Sequence, residues 1–139
     1  MGETKKETTK SVSTNPGQAI SRRILVAEDN KNIQRVVFRI LDFMGFEVAF
    51  AANGVEALSL FLRKSFDLVL TDLEMPVMDG WSLTHCIKER SPNTPVVLMT
   101  GADREIVLKM KSAPIDSVIF KPFLLDDFQS TVQRVLEPR

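Results

Sequence analysis

The chain has 139 residues, and its 18 lysines and arginines balance its 18 aspartates and glutamates. Hydrophobic residues make up 44% of the sequence and charged residues 26%, a composition that suits one globular domain with a single core and excludes wholesale disorder. Because the formal net charge is zero, nothing indicates direct nucleic-acid binding, and we expect proteins or small anions as binding partners.

Cysteine content and hydropathy indicate the cellular compartment. Cys86 is the only cysteine, so an intramolecular disulfide is excluded and a reducing compartment is favoured. No apolar run approaches the length of a membrane span, and residues 1–20 lack the hydrophobic centre of a signal peptide. These features predict a cytoplasmic protein that does not contact a membrane.

The N-terminal segment differs in composition from the rest of the chain. Residues 1–21 are rich in Thr, Lys, Ser and Glu, carry Pro16-Gly17 as a turn signal and contain almost no apolar residues. Such a segment cannot bury a core, so we predict a flexible N-terminal tail over residues 1–21. The folded domain is predicted over residues 22–139.

From residue 22 onward, short apolar runs alternate with segments whose apolar residues recur every three or four positions. The short runs predict strands, and the longer spacing predicts helices with one buried face. The predicted strands are residues 24–27, 46–50, 66–72, 96–100 and 118–121. The predicted helices cover about residues 30–44, 54–61, 81–89, 103–111 and 125–136.

The third predicted strand ends abruptly on a carboxylate, because an apolar run reaches Asp72 and then breaks into a loop with Pro76 and Gly80. A continuous apolar run is typical of a strand covered on both faces in a parallel sheet. Five strands that alternate with five helices require right-handed parallel crossovers. The sequence therefore predicts an α/β fold, a doubly wound parallel (βα)5 sheet with helices on both faces.

In an open parallel sheet the carboxyl ends of the strands share one edge, which is where ligands bind. The predicted strands place five chemically active residues at this edge: Glu28, Asp29, Asp72, Thr100 and Lys121. A single acid at a strand end is most often a turn residue. Five such residues on four strands indicate a functional site.

The charges of these residues suggest phosphoryl chemistry. Three carboxylates close together repel one another unless a cation lies among them, and Mg²⁺ prefers oxygen ligands of this kind. With its charge screened, Asp72 can attack a phosphoryl group and form an aspartyl phosphate. Lys121 and Thr100 would then supply a positive charge and a hydroxyl donor to the phosphoryl oxygens.

Four motifs of the chain resemble those of the receiver domain of two-component response regulators, the CheY-like family. They are Val26-Ala27-Glu28-Asp29-Asn30, Asp72-Leu73-Glu74-Met75-Pro76-Val77-Met78-Asp79-Gly80, Met99-Thr100-Gly101 and Phe120-Lys121-Pro122-Phe123. The resemblance covers about residues 22–137. It implies a flavodoxin-like fold with strand order 2-1-3-4-5, an order that is carried over from the family.

The resemblance also implies how the phosphoryl group is handled. Asp72 would accept it from a phosphohistidine on a histidine kinase or a histidine phosphotransfer protein. Thr100 and Lys121 would bind the phosphoryl oxygens. The Lys121-Pro122 peptide bond is expected to be cis, although most X-Pro bonds are trans, because that bend would point the lysine into the site.

A Mg²⁺ site is implied by the same resemblance. Asp29 would bind the ion directly and Glu28 would bind it through water, while Asp72 and the backbone carbonyl of Glu74 would complete the site. The acidic pair is Glu28-Asp29, where two aspartates are commonest in the family. This substitution adds a methylene and keeps the charge.

Three functions remain open on the sequence alone. A phospho-accepting receiver is favoured because all five site residues are present, and such a protein is not an enzyme beyond catalysing its own phosphorylation and dephosphorylation. A pseudo-receiver would bind partners without phosphorylation and would have lost one of these residues. A Mg²⁺-dependent phosphohydrolase commonly has a second acid two positions after the nucleophile, where this chain has Glu74. The sequence names neither a downstream effector nor an oligomeric state.

The last part of the domain departs from the family. Pro114-Ile115 replaces the usual Gly-Ala, and Val118 stands where a Tyr or Phe switch residue usually lies. Val118 has few side-chain rotamers and no ring to swing. Phe120 shares its side of the strand but is expected to be fixed in the core. We therefore expect phosphorylation to move the loop at residues 100–102 and the start of the next helix, without an aromatic rotamer exchange.

Overall fold

The structure, a computed structural model, describes residues 22–109 and 114–137. Five strands and five helices alternate along them. The strands are β1 (Arg23–Ala27), β2 (Glu47–Ala51), β3 (Leu68–Asp72), β4 (Val96–Thr100) and β5 (Ser117–Phe120). The helices are α1 (Lys31–Phe43), α2 (Gly54–Arg63), α3 (Gly80–Arg90), α4 (Arg104–Lys109) and α5 (Leu125–Leu136). The predicted tail at residues 1–21 lies outside the described residues.

All five strands are parallel and form one sheet in the order β2-β1-β3-β4-β5. The predicted α/β class and strand order are therefore confirmed. Alternate side chains of β1 point to opposite faces, so Ile24 and Val26 lie in one core cluster and Leu25 lies in another. Helices α1 and α5 cover the first cluster, and helices α2 and α3 cover the second. None of the helices described here is long and apolar enough to cross a membrane.

A third cluster lies beside α4. Its buried residues are Leu73, Leu98 and Val107, and the partly buried residues Trp81, Ala102, Ile115, Val118 and Phe120 pack against them. The cluster connects the loop after β3 with α4 and β5. Because Ile115 belongs to it, the segment before β5 keeps an apolar anchor even though its sequence departs from the family.

Phe120 packs against the third cluster but is only partly buried, and whether its ring stays fixed on phosphorylation remains a prediction. Its side chain is half-buried, and the guanidinium carbon of Arg104 lies 4.3 Å from the centre of its ring. β5 is an edge strand, and α4 contributes Val107 to the cluster on this side of it. An arginine packed on an aromatic face forms a cation–π contact.

Some element bounds differ from the predicted ones by a few residues. β5 ends at Phe120, so Lys121 lies directly after the strand, although its N–H still donates to the Thr100 carbonyl at 2.7 Å. β3 begins at Leu68; the residue before it, Asp67, exchanges two hydrogen bonds with Arg23, one from its backbone N–H to the Arg23 carbonyl and one from the Arg23 N–H to its carboxylate, both at 2.8 Å. The predicted end of α4 falls on residues 110–113, which lie outside the described residues.

Two helices beside the site begin with polar caps. Asn30 follows the acidic pair, and its side-chain oxygen accepts a hydrogen bond from the N–H of Ile33 at 3.0 Å, which starts α1. Asp79 accepts from the N–H of Ser82 at 2.9 Å and starts α3. Such caps satisfy backbone donors that a helix start leaves unpaired. They set where the loops at the carboxyl edge of the sheet end.

Candidate functional site

Three carboxylates meet at the carboxyl edge of the sheet. Glu28 and Asp29 follow β1, and Asp72 is the last residue of β3, the strand beside β1. One oxygen from each carboxylate lies within 4.8 Å of the others. Glu28 is buried, Asp72 is half-buried and Asp29 is exposed. The cluster therefore has a buried floor and an open side.

Lys121 brings a positive charge to this cluster. Its Nζ donates a hydrogen bond to Glu28 Oε1 at 2.8 Å and lies 3.4 Å from Asp72 Oδ2. The Lys121-Pro122 peptide bond is cis, which confirms the prediction from the family resemblance. The ammonium is thus a counter-ion to two acids, and Glu28 is the closer of them.

The carboxylate of Asp72 is held by the loop that follows it. The backbone N–H of Leu73 donates to Oδ1 at 2.8 Å, and the backbone N–H groups of Leu73 and Glu74 both act to lower the pKa of the carboxyl. Oδ2 is the oxygen that lies near Lys121. Backbone donors and an ammonium therefore approach the same carboxylate, which suits an acid that must carry negative charge.

Thr100 lies at the same edge as the last residue of β4, and it is buried. Its hydroxyl oxygen accepts a hydrogen bond from the N–H of Ala102 at 2.9 Å. A hydroxyl that accepts in this way still has its own hydrogen to donate. Its backbone carbonyl accepts from Lys121, so the threonine and the lysine are tied together through the main chain.

Glu74 contributes to the site in a different way. Its side chain is exposed, and its carboxylate is not part of the group formed by Glu28, Asp29 and Asp72. Its backbone N–H acts to lower the pKa of the Asp72 carboxyl. The role that the family resemblance gives to its backbone carbonyl stays a prediction.

Burial raises the pKa of both Glu28 and Asp72, because a carboxylate loses its hydration inside the protein. Lys121 opposes the rise in the pKa of each acid, through its charge and through hydrogen bonding. The charge of Asp72 raises the pKa of Glu28 further. One lysine thus offsets only part of the burial of two acids, and a second cation here would favour their ionised forms.

Two glycines allow helix starts to press against the loop after Asp72. A Cβ on Gly80 would overlap the carbonyl oxygen of Asp72 and lie 3.0 Å from the Leu73 Cα. A Cβ on Gly54, at the start of α2, would overlap the carbonyl oxygen of Met78. The sequence predicted only a break in the chain at Gly80. The close packing of Gly80 against the loop depends on tertiary contacts. In the sequence, the only sign of this packing is that a glycine stands at the start of a predicted helix.

The same loop contains a strained residue. Val77 has a φ of +73°, and the N–H of Met78 donates to the Pro76 carbonyl at 2.8 Å across it, which closes a γ-turn. A β-branched residue is disfavoured at positive φ. The Val77 side chain is 79% exposed, so no packing compensates for this strain.

The donor set fits Mg²⁺. Carboxylate oxygens are hard ligands, and oxygens on opposite sides of a magnesium ion lie about 4 Å apart. One oxygen from each of the three acids lies within 4.8 Å of the others, which brings their negative charges close enough to share one divalent ion. The exposure of Asp29 leaves room for the waters that Mg²⁺ usually keeps.

Comparisons with known proteins agree with this fold. The model of the response regulator receiver domain family matches residues 24–133. The response regulator receiver protein CpdR of Brucella abortus (strain 2308) is 33% identical over 116 residues, which cover 83% of this chain and 97% of CpdR. Regulatory protein AtoC of Escherichia coli (strain K12) is 36% identical over 116 residues, 83% of this chain.

Some relatives are much longer than the matched segment. The chain spans 25% of AtoC and 45% of the probable transcriptional regulator ycf27 of Cyanidium caldarium, to which it is 29% identical over 115 residues. It spans 12% of the autoinducer 1 sensor kinase/phosphatase LuxN of Vibrio harveyi, with 36% identity over 107 residues. The similarity to these proteins is therefore to one part of each.

Solved structures show the same relationship. The chemotaxis response regulator CheY4 of Vibrio cholerae has a TM-score of 0.78 at 30% identity, over 84% of this chain and 100% of that one. The response regulator protein TrrA of Thermotoga maritima, solved in complex with Mg(2+)-BeF, has a TM-score of 0.77 at 30% identity, over 83% and 99%. Since the family model and a relative matched over nearly its whole length both describe receiver domains, the chain belongs to the receiver domain family of two-component response regulators.

Proposed function

We propose that the chain is a phospho-accepting receiver of a phosphorelay, which takes a phosphoryl group from a phosphohistidine onto Asp72 with Mg²⁺ and signals by a conformational change. The position of the Asp72 carboxylate is the observation that supports this most directly. It ends a strand, lies within 4.8 Å of two other carboxylates and is 3.4 Å from an ammonium. A carboxylate in such surroundings is suited to attack on phosphorus.

The transfer needs no general base. A lone pair of an Asp72 oxygen forms the new bond to phosphorus while the P–N bond to the donor histidine breaks. The electron pair of that bond stays on the imidazole, which leaves as a neutral ring because its other nitrogen carries a proton. Lys121 Nζ, beside Asp72 Oδ2, donates to one phosphoryl oxygen, and the Thr100 hydroxyl donates to another.

Mg²⁺ would be held at the acidic cluster. Asp29 and Asp72 supply carboxylate oxygens, and the family resemblance adds the backbone carbonyl of Glu74 and a water-mediated contact to Glu28. When bound, the ion supplies positive charge that offsets the repulsion among the acids and the charge of the phosphoryl group. Asp29 lies on the exposed side of the cluster, where donor and ion can both approach.

The proposed donor is a protein of the cytoplasm, either a histidine kinase or a histidine phosphotransfer protein. An apolar groove of about 460 Å³ adjoins Lys121. Ile33 and Val36 of α1 form one wall, and Pro122 and Phe123 form the other. An exposed apolar surface beside a reactive acid suits a protein donor more than a small phosphate. The matched segment in the sensor kinase/phosphatase LuxN supports the same assignment.

The phosphoryl signal is proposed to leave through the loop after β4. Thr100 begins this loop and is hydrogen-bonded to Ala102, so a pull on its hydroxyl would shift residues 100–102 and the start of α4. Val118 packs in the cluster beside α4 and has no ring to exchange. Amide chemical shifts with and without a phosphoryl mimic should change most at residues 100–104. A large inward rotation of Phe120, or no change near Thr100, would contradict this.

Intact-mass spectrometry tests the proposed function. Incubation with Mg²⁺ and a small acyl phosphate should add the mass of one phosphoryl group to the wild type and none to Asp72→Ala. Asp126→Ala, an exposed change on α5, is the matched control and should be labelled like the wild type. Equal labelling of Asp72→Ala would refute the assignment. A wild type that is never labelled would favour a pseudo-receiver.

In this role the chain takes up one phosphoryl group on itself and does not turn over an external substrate as an enzyme does. Loss of the phosphoryl group would occur by attack of water on the aspartyl phosphate, which restores the Asp72 carboxylate and releases inorganic phosphate. Sustained release of phosphate from a small phosphate ester would instead indicate a phosphohydrolase. Measuring that release with wild type and Asp72→Ala separates the two activities.

A further inference from the structure

Among the residues whose burial the structure describes, Glu28 is the only charged one that is fully buried. Both oxygens of its carboxylate have partners: Lys121 Nζ lies 2.8 Å from Oε1, and the N–H of Asn30 lies 3.1 Å from Oε2. Its backbone N–H donates to the Ala51 carbonyl at 2.9 Å, and its carbonyl accepts from the side-chain amide of Gln34. The residue is therefore held from both the side chain and the main chain.

Lys121 depends on this carboxylate for its position. A lysine has a flexible four-carbon stem, so its ammonium takes a defined place only where partners hold it. Glu28 is the nearer partner at 2.8 Å, and Asp72 is the farther one at 3.4 Å. An aspartate at position 28 would be shorter by one carbon–carbon bond, about 1.5 Å, and would draw back from the ammonium.

We propose that Glu28 is a positioning residue whose carboxylate holds the Lys121 ammonium beside the phosphoryl-accepting oxygen of Asp72, an inference that rests on the proposed function. Binding of Mg²⁺ then depends on Asp29 and Asp72 more than on Glu28. This role differs from the water-mediated metal contact that the family resemblance implies for Glu28. Asp29 is exposed and open to a hydrated ion, whereas Glu28 is buried with both oxygens engaged.

Metal affinity provides the first test. Glu28→Gln keeps the shape of the side chain and removes its charge, and Asp29→Asn does the same at the neighbouring acid. In calorimetric titrations with MgCl₂, the dissociation constant should change by less than about threefold in Glu28→Gln and should rise by at least about tenfold in Asp29→Asn. Equal losses in the two variants would overturn the proposal, because Glu28 would then serve the metal as much as Asp29 does.

Chemical labelling of lysine provides the second test. Lys121 should react slowly with an amine-acylating reagent in the wild type and several-fold faster in both Glu28→Gln and Glu28→Asp, as read by peptide mass spectrometry. Lys64, which is exposed, is the internal control and should react equally in all three proteins. Glu28→Asp separates the two roles, since it keeps the charge that a metal contact needs and loses only reach. Unchanged labelling of Lys121 in both variants would overturn the proposal.

Neither of these readouts requires phosphoryl transfer, so their failure is distinguishable from failure of the proposed function. A third measurement links the positioning role of Glu28 to the proposed phosphoryl transfer. At saturating Mg²⁺, Glu28→Asp should slow acyl-phosphate labelling of Asp72 while its affinity for Mg²⁺ stays at the wild-type value. A merely structural role would not separate rate from metal affinity in this way, and an unchanged rate would contradict the positioning role.

Discussion

Replacing Gly80 with alanine tests whether close packing fixes the loop after Asp72. Gly80 is the first residue of α3, and its N–H donates to the Leu73 carbonyl at 2.8 Å. The added Cβ would overlap the Asp72 carbonyl oxygen and lie 3.0 Å from the Leu73 Cα and 3.1 Å from the Asp72 carbonyl carbon. All three are backbone atoms, so no side-chain rotation can relieve the overlap.

The size of the effect follows from two opposing contributions. Inserting a methyl group into a packed region destabilises a protein by about 1–3 kcal/mol, and the upper part of that range applies because backbone must move. Alanine has a better helix propensity than glycine by up to about 1 kcal/mol, less at the first residue of a helix. We expect a net loss of about 2 kcal/mol in the free energy of unfolding, or a fall of roughly 5–10 °C in the melting temperature.

Circular dichroism during thermal and urea unfolding measures this loss. Gly101→Ala is the matched control beside the same site, because its Cβ would meet only the Lys121 Cβ, at 4.0 Å. Its free energy of unfolding should stay within about 0.5 kcal/mol of the wild type. Equal stability of the Gly80→Ala and Gly101→Ala variants would refute the reasoning, and acyl-phosphate labelling of Asp72 should be slower in Gly80→Ala alone.

The pKa of Glu28 is raised in the folded wild type, so its contribution to stability is lost as the pH rises above the ordinary glutamate value, and Glu28→Gln should therefore gain stability relative to the wild type over that rise. Urea midpoints in chelator check this, and a relative loss with rising pH would contradict it. Val77→Gly should raise the free energy of unfolding by about 1 kcal/mol, since glycine adopts positive φ without the steric cost of a Cβ, and that relief exceeds its extra conformational entropy in the unfolded chain; an unchanged urea midpoint would count against strain at this residue. Phe128→Ala should lower the free energy of unfolding by about 3–5 kcal/mol, because its fully buried ring packs with its centre 5.1 Å from the centre of the Phe123 ring. Phe43→Ala, at an 84% exposed ring, should shift it by less than about 0.5 kcal/mol in the same melts.

Most of the fold could be predicted because its signals are local. β4 was predicted with its observed bounds, since Val96–Thr100 is an apolar run in which every residue is buried and Pro95 precedes it. The α1 helix was predicted from the spacing of residues such as Val37 and Leu41, which are both fully buried. Strand order was not available from such patterns and came from the family resemblance.

Parts of the site could not be predicted because they depend on packing between distant segments. The preference of Lys121 for Glu28 over Asp72 is set by side-chain reach across two strand ends, and no motif encodes it. The half-buried position of Phe120 follows from the edge position of β5 and from the arginine that packs on it. The sequence identified which residues share the edge of the sheet, but not which of them are partners.

The hydrogen bond between Lys121 and Glu28 joins residues that are 93 positions apart, and the strands that carry the site include the first and the last along the chain. A contact of such long sequence separation closes a long loop, and the entropy of closing that loop must be offset by the rest of the fold. In a partly folded chain in which β5 is not yet paired, or in a fragment that lacks β5 and the residues after it, the acids of the site would not have Lys121 beside them. A phosphorylation assay is therefore also a measure of complete folding, and a ligand that binds this site stabilises the whole domain against unfolding.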